Sequence, residues 1–99
     1  MIHAFADSTT VAFGTLGNCS ICKDRIEGAV KQVPGVISVS WKIISDVTTV
    51  TYDSTVTDVY IIMHVIANVG HDTEWFPAPD SAYNLLKGTC CEYQRTNNY

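Results

Sequence analysis

The stretch "RIEGAVKQVPGVISVSWKI", residues 25 to 43, changes its periodicity at Pro34-Gly35, and that change limits the folds open to the chain. Before the break, Cys22, Ile26, Ala29, Val30 and Val33 recur at the three-and-four spacing of a helix with one apolar stripe, which the pattern starts at Ser20. Proline cannot continue such a helix, and the glycine after it closes the turn. Beyond the break, Val39, Trp41 and Ile43 alternate with Ser38, Ser40 and Lys42. That is the two-residue beat of a half-buried strand over residues 36 to 43.

The same two rhythms divide the rest of the chain. Residues 9 to 16 alternate, with Val11 and Phe13 on one face, and predict a first strand. Residues 47 to 53 alternate again, and the short "ISD" link makes them an antiparallel neighbour of residues 36 to 43. A second helix follows, capped by Ser54 or Thr57, with Val59, Ile62, Ile66 and Val69 inward and Gly70 closing it. "HDTEWF", residues 71 to 76, predicts a final strand. The order strand, helix, strand, strand, helix, strand specifies an α+β, ferredoxin-like βαββαβ sandwich, with two helices on one face of a four-stranded antiparallel sheet. Right-handed crossovers place the first and third strands in the middle of that sheet. The loop after the first strand and the segment before the fourth then share one end of the molecule. Cys19, Cys22 and His71 become neighbours by topology.

Past Phe76, "PAPDSAYNLLKG" predicts a turn and a short C-terminal helix from Ser81 to Lys87, with Asp80 as its cap and Gly88 as its stop. Ile61 and Val65 form a second apolar stripe on the second helix, which this extension is expected to cover. The 99 residues read as one domain: a core over residues 9–76, an extension over 77–91 ending in Cys90-Cys91, and a tail over 92–99.

Six basic against ten acidic residues give a formal charge of −4, which argues against nucleic acid, whose affinity rests on phosphate neutralisation. The longest apolar run, "VYIIMHVIANV", is far short of the roughly 20 residues that span a bilayer, so no membrane insertion is expected. "MIHAFADSTT" carries no basic start followed by an apolar run. A cytoplasmic location is therefore favoured, with a periplasmic one open if the chain is a mature form or an excised domain. A monomer or weak dimer is expected. No nucleophile–base pair with an orienting partner and no carboxylate couple stands out, so the chain does not read as an enzyme.

The cysteines carry the chemistry. Cys19 and Cys22 sit on a turn that opens a helix, where unpaired backbone N–H groups and the helix dipole favour thiolate over thiol. Two thiolates at that spacing suit a soft ion such as Cu(I) or Hg(II) but do not complete the four-ligand shell of structural zinc. A thiol–disulfide redox pair or inert surface thiols are the alternatives, although "NCSICK" lacks the Trp or Pro expected of thioredoxin-like chemistry. His71 can be a third ligand, a hydrogen-bond donor to a thiolate, or an exposed turn residue. Cys90 and Cys91 can return to the loop as extra ligands, form a second metal or redox pair, or be structural.

"GNCSIC", followed at helical distance by "VPGVISVSW" and then "TTVTYD", resembles the heavy-metal-associated domain family over about residues 9 to 76. That family comprises copper chaperones, the metal-binding modules of copper-exporting ATPases and mercury carriers. The resemblance implies that Cys19 and Cys22 are metal ligands, with Gly17 as the glycine before them. It also implies binding and transfer of a soft ion, Cu(I) first and Hg(II), Cd(II) or Zn(II) behind it. The implied partner is a metal-transporting ATPase or another metal-accepting protein. The chain departs from the family in having Gly17 where a buried methionine usually props the loop, and His71 where tyrosine or lysine is common. The double cysteine after "PDSAYNLLKGT" is similar to a bacterial subgroup of the family.

Overall fold

A computed structural model describes residues 7–95. In chain order the elements are β1 (Ser8–Gly14), α1 (Ser20–Lys31), β2 (Val36–Lys42), β3 (Val47–Asp53), α2 (Val59–Asn68) and α3 (Asp80–Asn84). Among the described residues the sheet has three antiparallel strands in the order β1-β3-β2. The chain is thus a small α+β fold whose central strand is β3.

Alternation decides which face of the sheet is covered. Thr48, Val50 and Tyr52 of β3 are buried, and Phe13 of β1 and Trp41 of β2 join them. The α1 stripe Cys22, Ile26 and Val30 and the α2 residues Ile62, Met63 and Ile66 close over that face in one cluster. Burial of such side chains contributes about 1.5–3 kcal/mol each. Helix α2 starts at Asp58, whose carboxylate accepts the N–H groups of Tyr60 and Ile61 at 2.9 and 3.0 Å, and not at Ser54 or Thr57. Asp58 is the better cap because its charged oxygen also meets the positive end of the helix dipole.

The expected fourth strand does not form. Residues 71–76 make only an isolated bridge, Thr15 opposite Thr73, with one further bond from Glu74 N–H to the Gly14 carbonyl at 2.9 Å. The segment turns back on itself: Thr73 N–H donates to the Phe76 carbonyl at 2.9 Å, and Phe76 N–H donates to Thr73 Oγ1 at 3.1 Å. Backbone groups satisfied within a tight turn are not available to a ladder, and Pro77 then prevents continuation. Strand β1 consequently lies at the sheet edge instead of inside it.

The C-terminal extension packs back onto the core. Helix α3 spans five residues, starting at Asp80 and ending before the Leu85-Leu86 pair. Leu86, Cys91 and Tyr93 are buried in the same cluster as α1 and α2. At Gly70, which has φ 107°, a Cβ would meet the Ala82 carbonyl at 3.0 Å and Leu86 at 3.0 Å, so the bare backbone there lets the extension approach. The second apolar stripe of α2 is covered unevenly. Val65 packs on the core, and Phe76 meets Tyr60 edge-on, yet Ile61 remains 48% exposed.

Candidate metal centre

Strand β1 delivers the chain to a loop, residues 15–19, that is fixed from three sides. Thr15 N–H donates to the Asp46 carbonyl at 2.8 Å, Leu16 N–H to the Asp72 carbonyl at 2.9 Å, and Thr15 Oγ1 accepts the Thr48 hydroxyl at 2.8 Å in the buried interior. The Trp41 indole N–H donates to the Thr15 carbonyl at 3.0 Å. Gly17 is glycine because of that ring: a Cβ there would lie 2.8 Å from the indole. Trp41 therefore supports the loop from the space that a side chain at residue 17 would fill, a role that its alternation along β2 does not reveal.

At the end of the loop Cys19 is the N-cap residue of α1, in extended conformation. The Cys19 and Cys22 sulfurs lie 3.5 Å apart. Cys22 is fully buried while Cys19 is half-buried. Asn18 holds the inner thiol: its N–H donates to Cys22 Sγ at 3.4 Å, and its side-chain carbonyl accepts the Cys22 thiol proton at 3.4 Å. A third sulfur arrives from the far end of the chain. Cys91 Sγ lies 3.7 Å from Cys19 Sγ, and the sulfurs of Cys19, Cys22 and Cys91 all lie within 4.8 Å of one another.

The sulfurs differ in charge. Desolvation opposes ionisation of Cys19, but hydrogen bonding from Cys90, from the backbone and thiol of Cys22 and from Cys91 outweighs it, and its pKa is lowered to about 7. Burial pushes the Cys91 thiol up, and the neighbouring Cys22 and Cys19 sulfurs add to the shift. Cys90 is exposed and outside the three-sulfur group, and interaction with the Cys19 sulfur raises its pKa. The environment of Cys19 thus favours its anion, whereas those of Cys90 and Cys91 favour the thiol.

His71 is fully buried, not an exposed turn residue. Its Nδ1 lies 2.8 Å from the Leu16 carbonyl, an atom that can only accept, so Nδ1 carries the proton and Nε2 the lone pair. Nε2 is buried without a hydrogen-bond partner among the described residues, and burial lowers the ring's pKa. The imidazole thus holds the loop through Leu16 and lies outside the three-sulfur group. Lys23 is tied to Glu27 and donates to the Trp41 carbonyl at 3.0 Å, while Arg25 donates to the Val69 carbonyl. Both cations beside the cysteines therefore also brace α1.

Comparison with known proteins gives this geometry a family. No protein-family model matches the sequence, and no curated protein matches it. Solved structures do. A putative copper-ion-binding protein from Bacillus anthracis str. Ames is 30% identical, with 67% of this chain and 94% of that one covered at a TM-score of 0.63. The chain belongs to the heavy-metal-associated domain family. Oxidized MerP from Ralstonia metallidurans CH34 is 27% identical over 67% of this heavy-metal-associated chain and 93% of its own, with a TM-score of 0.63. The CopZ metallochaperone, at 24% identity, covers 66% of this chain and 98% of its own with a TM-score of 0.64, and shares the fold. About a third of this heavy-metal-associated chain lies outside each of these matches.

Proposed function

We propose that this protein captures a soft metal ion, Cu(I) foremost, through the thiolates of Cys19 and Cys22 and passes it to a protein partner. The observation that carries the reading is the 3.5 Å approach of two sulfurs at the start of α1, one of them partly exposed with a pKa near 7. Soft thiolates bind soft ions in preference to hard ones, and an ionised Cys19 removes the proton that would otherwise compete.

Transfer proceeds by exchange of ligands. An incoming partner thiol loses its proton and forms a metal–sulfur bond, one metal–sulfur bond to this protein breaks, and the released sulfur takes a proton. Nothing is oxidised. Cys19 is the sulfur a partner reaches first, because Cys22 is buried beneath it. Ile21, Ile43 and Ile44 are exposed around this end of the molecule, where Gly14 pairs with Val47 beside the β2–β3 turn, and they offer an apolar rim to a docking protein. A metal-transporting ATPase domain is the partner class that fits a carrier of this kind.

The test is a titration of reduced protein with Cu(I) in competition with a chromophoric chelator, under anaerobic conditions. Tight binding of one ion is expected, and Cys19→Ser or Cys22→Ser should abolish it while the helical spectrum survives. Reduced protein that leaves Cu(I) with the chelator, yet exchanges disulfides with a substrate protein, would place the pair in redox chemistry instead.

A further inference from the structure

We propose that Cys91, carried back to the loop by the C-terminal extension, is a third thiolate ligand, so that the ion is held in a three-sulfur shell rather than between two sulfurs. This rests on the soft-metal reading above and extends it.

The distances favour three sulfurs over two. A metal–thiolate bond is ~2.3 Å, so linear coordination between two sulfurs needs them ~4.6 Å apart, whereas a trigonal shell needs sides of ~4.0 Å. Cys19 and Cys22 stand 3.5 Å apart and Cys19 and Cys91 3.7 Å, with the remaining side no longer than 4.8 Å. A trigonal shell requires the measured sides to open by a few tenths of an ångström. A linear one requires the first pair to part by about 1 Å, against a Cys22 side chain that is fully buried.

The position of Cys91 is built, not incidental. Asn18, which also holds Cys22, reaches across to the extension and donates from Nδ2 to the Glu92 carbonyl at 3.3 Å. Cys91 N–H donates to Thr89 Oγ1 at 3.1 Å, which fixes the backbone on its other side. Two residues on, the Tyr93 hydroxyl donates to the Gly70 carbonyl at 2.7 Å and accepts Asp72 N–H at 2.8 Å. The same segment, residues 70–73, thus anchors both the metal loop and the strap that bears Cys91.

An ion held by Cys19, Cys22 and Cys91 would have two buried ligands and one accessible one. As the three metal–sulfur bonds form, the thiol protons leave to solvent and no sulfur changes oxidation state. Release requires one ligand more to be displaced than in a two-sulfur carrier, so the third sulfur lengthens retention. Cys90, exposed and outside the three-sulfur group, is the rival third ligand that the test separates from Cys91.

The test counts sulfurs. Reduced full-length protein is loaded anaerobically with one equivalent of Cu(I), and separately of Hg(II), and the metal-edge X-ray absorption of wild type, Cys91→Ser, Cys91→Ala and Cys90→Ser is compared. Three sulfur neighbours are expected in wild type and in Cys90→Ser, and two in either Cys91 variant, with loss of the ion to a competing dithiol at least about tenfold faster. Two sulfurs in wild type, or an unchanged count in a Cys91 variant that folds, overturns the third ligand and leaves binding by Cys19 and Cys22 standing. If neither Cys91 variant folds, three sulfurs in both wild type and Cys90→Ser decide the matter. Wild-type protein that binds neither ion removes both readings together.

Discussion

The indole of Trp41 occupies the space that a side chain at residue 17 would need, with ring atoms 2.8 and 3.0 Å from the place of a Gly17 Cβ. The ring is wholly buried, and its N–H is committed to the Thr15 carbonyl, so it has little freedom to retreat. Gly17→Ala should therefore cost about 1–3 kcal/mol, the usual range for overpacking a dense core. The cost should shrink in a Trp41→Phe background, because the shorter ring withdraws the atoms that clash. A double-mutant cycle by urea denaturation measures the coupling, and additive costs would show that the two sites do not press on each other.

Cys19 should be alkylated faster than Cys90 although Cys90 is the more exposed. Only the thiolate reacts, and the Cys19 pKa of about 7 leaves it roughly half ionised at neutral pH, while interaction with the Cys19 sulfur raises the pKa of Cys90. Iodoacetamide labelling of metal-free protein, read by peptide mass spectrometry, should rise about tenfold per pH unit below 7 at Cys19 and level off above it. Labelling that continues to climb through pH 9 would mean that the neighbouring thiols do not stabilise the anion.

Periodicity made much of this fold legible and failed where local bonding outweighed it. The helix over Ser20–Lys31 and the strand over Val47–Asp53 follow from apolar spacing, because each buries one regular face. "HDTEWF" carries the residue types of a strand, yet His71, Asp72 and Thr73 are all buried and direct their polar groups inward, to the loop, the strap and the turn. A pattern of side-chain types does not reveal that a backbone is occupied in this way. Cys19 and Cys22 were readable from their spacing and from the helix behind them. The approach of Cys91 was legible only as one of several alternatives, since it depends on Asn18, Tyr93 and Arg95 finding partners tens of residues away. Nothing in the spacing of Tyr93 or Arg95 marks them as anchors.

Arg95 should matter to stability through Asp72 and hardly at all through Asp80. Its guanidinium meets both oxygens of Asp72, at 2.9 and 2.7 Å, and Asp72 is only 2% exposed. It also donates to the Ala78 carbonyl at 2.7 Å and lies 4.7 Å over the Tyr83 ring. Removing one partner of a paired buried carboxylate leaves a charge without compensation, so Arg95→Gln should destabilise by about 1–3 kcal/mol, less than a fully buried pair because the arginine itself is partly exposed. The Asp80 carboxylate stands almost fully in water, and Asp80→Asn should fall within about 0.5 kcal/mol of wild type. Chemical denaturation of both variants tests the contrast, and equal effects would contradict it.

Below about pH 6.5 the protein should lose stability because of His71. Burial is the largest cause of its lowered pKa, with the Arg25 charge acting in the same direction, while the bond to Leu16 and the Asp72 charge oppose it. The unfolded chain, whose histidine titrates at about 6.5, then binds more protons than the folded one as the pH falls. Unfolding free energy must therefore decrease with falling pH through that window, and the histidine's effect must vanish above it, where both states hold the ring neutral. His71→Gln can still donate to the Leu16 carbonyl but carries no titrating group. It should be less stable than wild type at pH 8 and show a shallower decline between pH 7 and pH 5. Urea midpoints across that range measure both slopes. An identical decline in the variant would assign the acid sensitivity to other groups and leave His71 ionising as freely as it does in the unfolded chain.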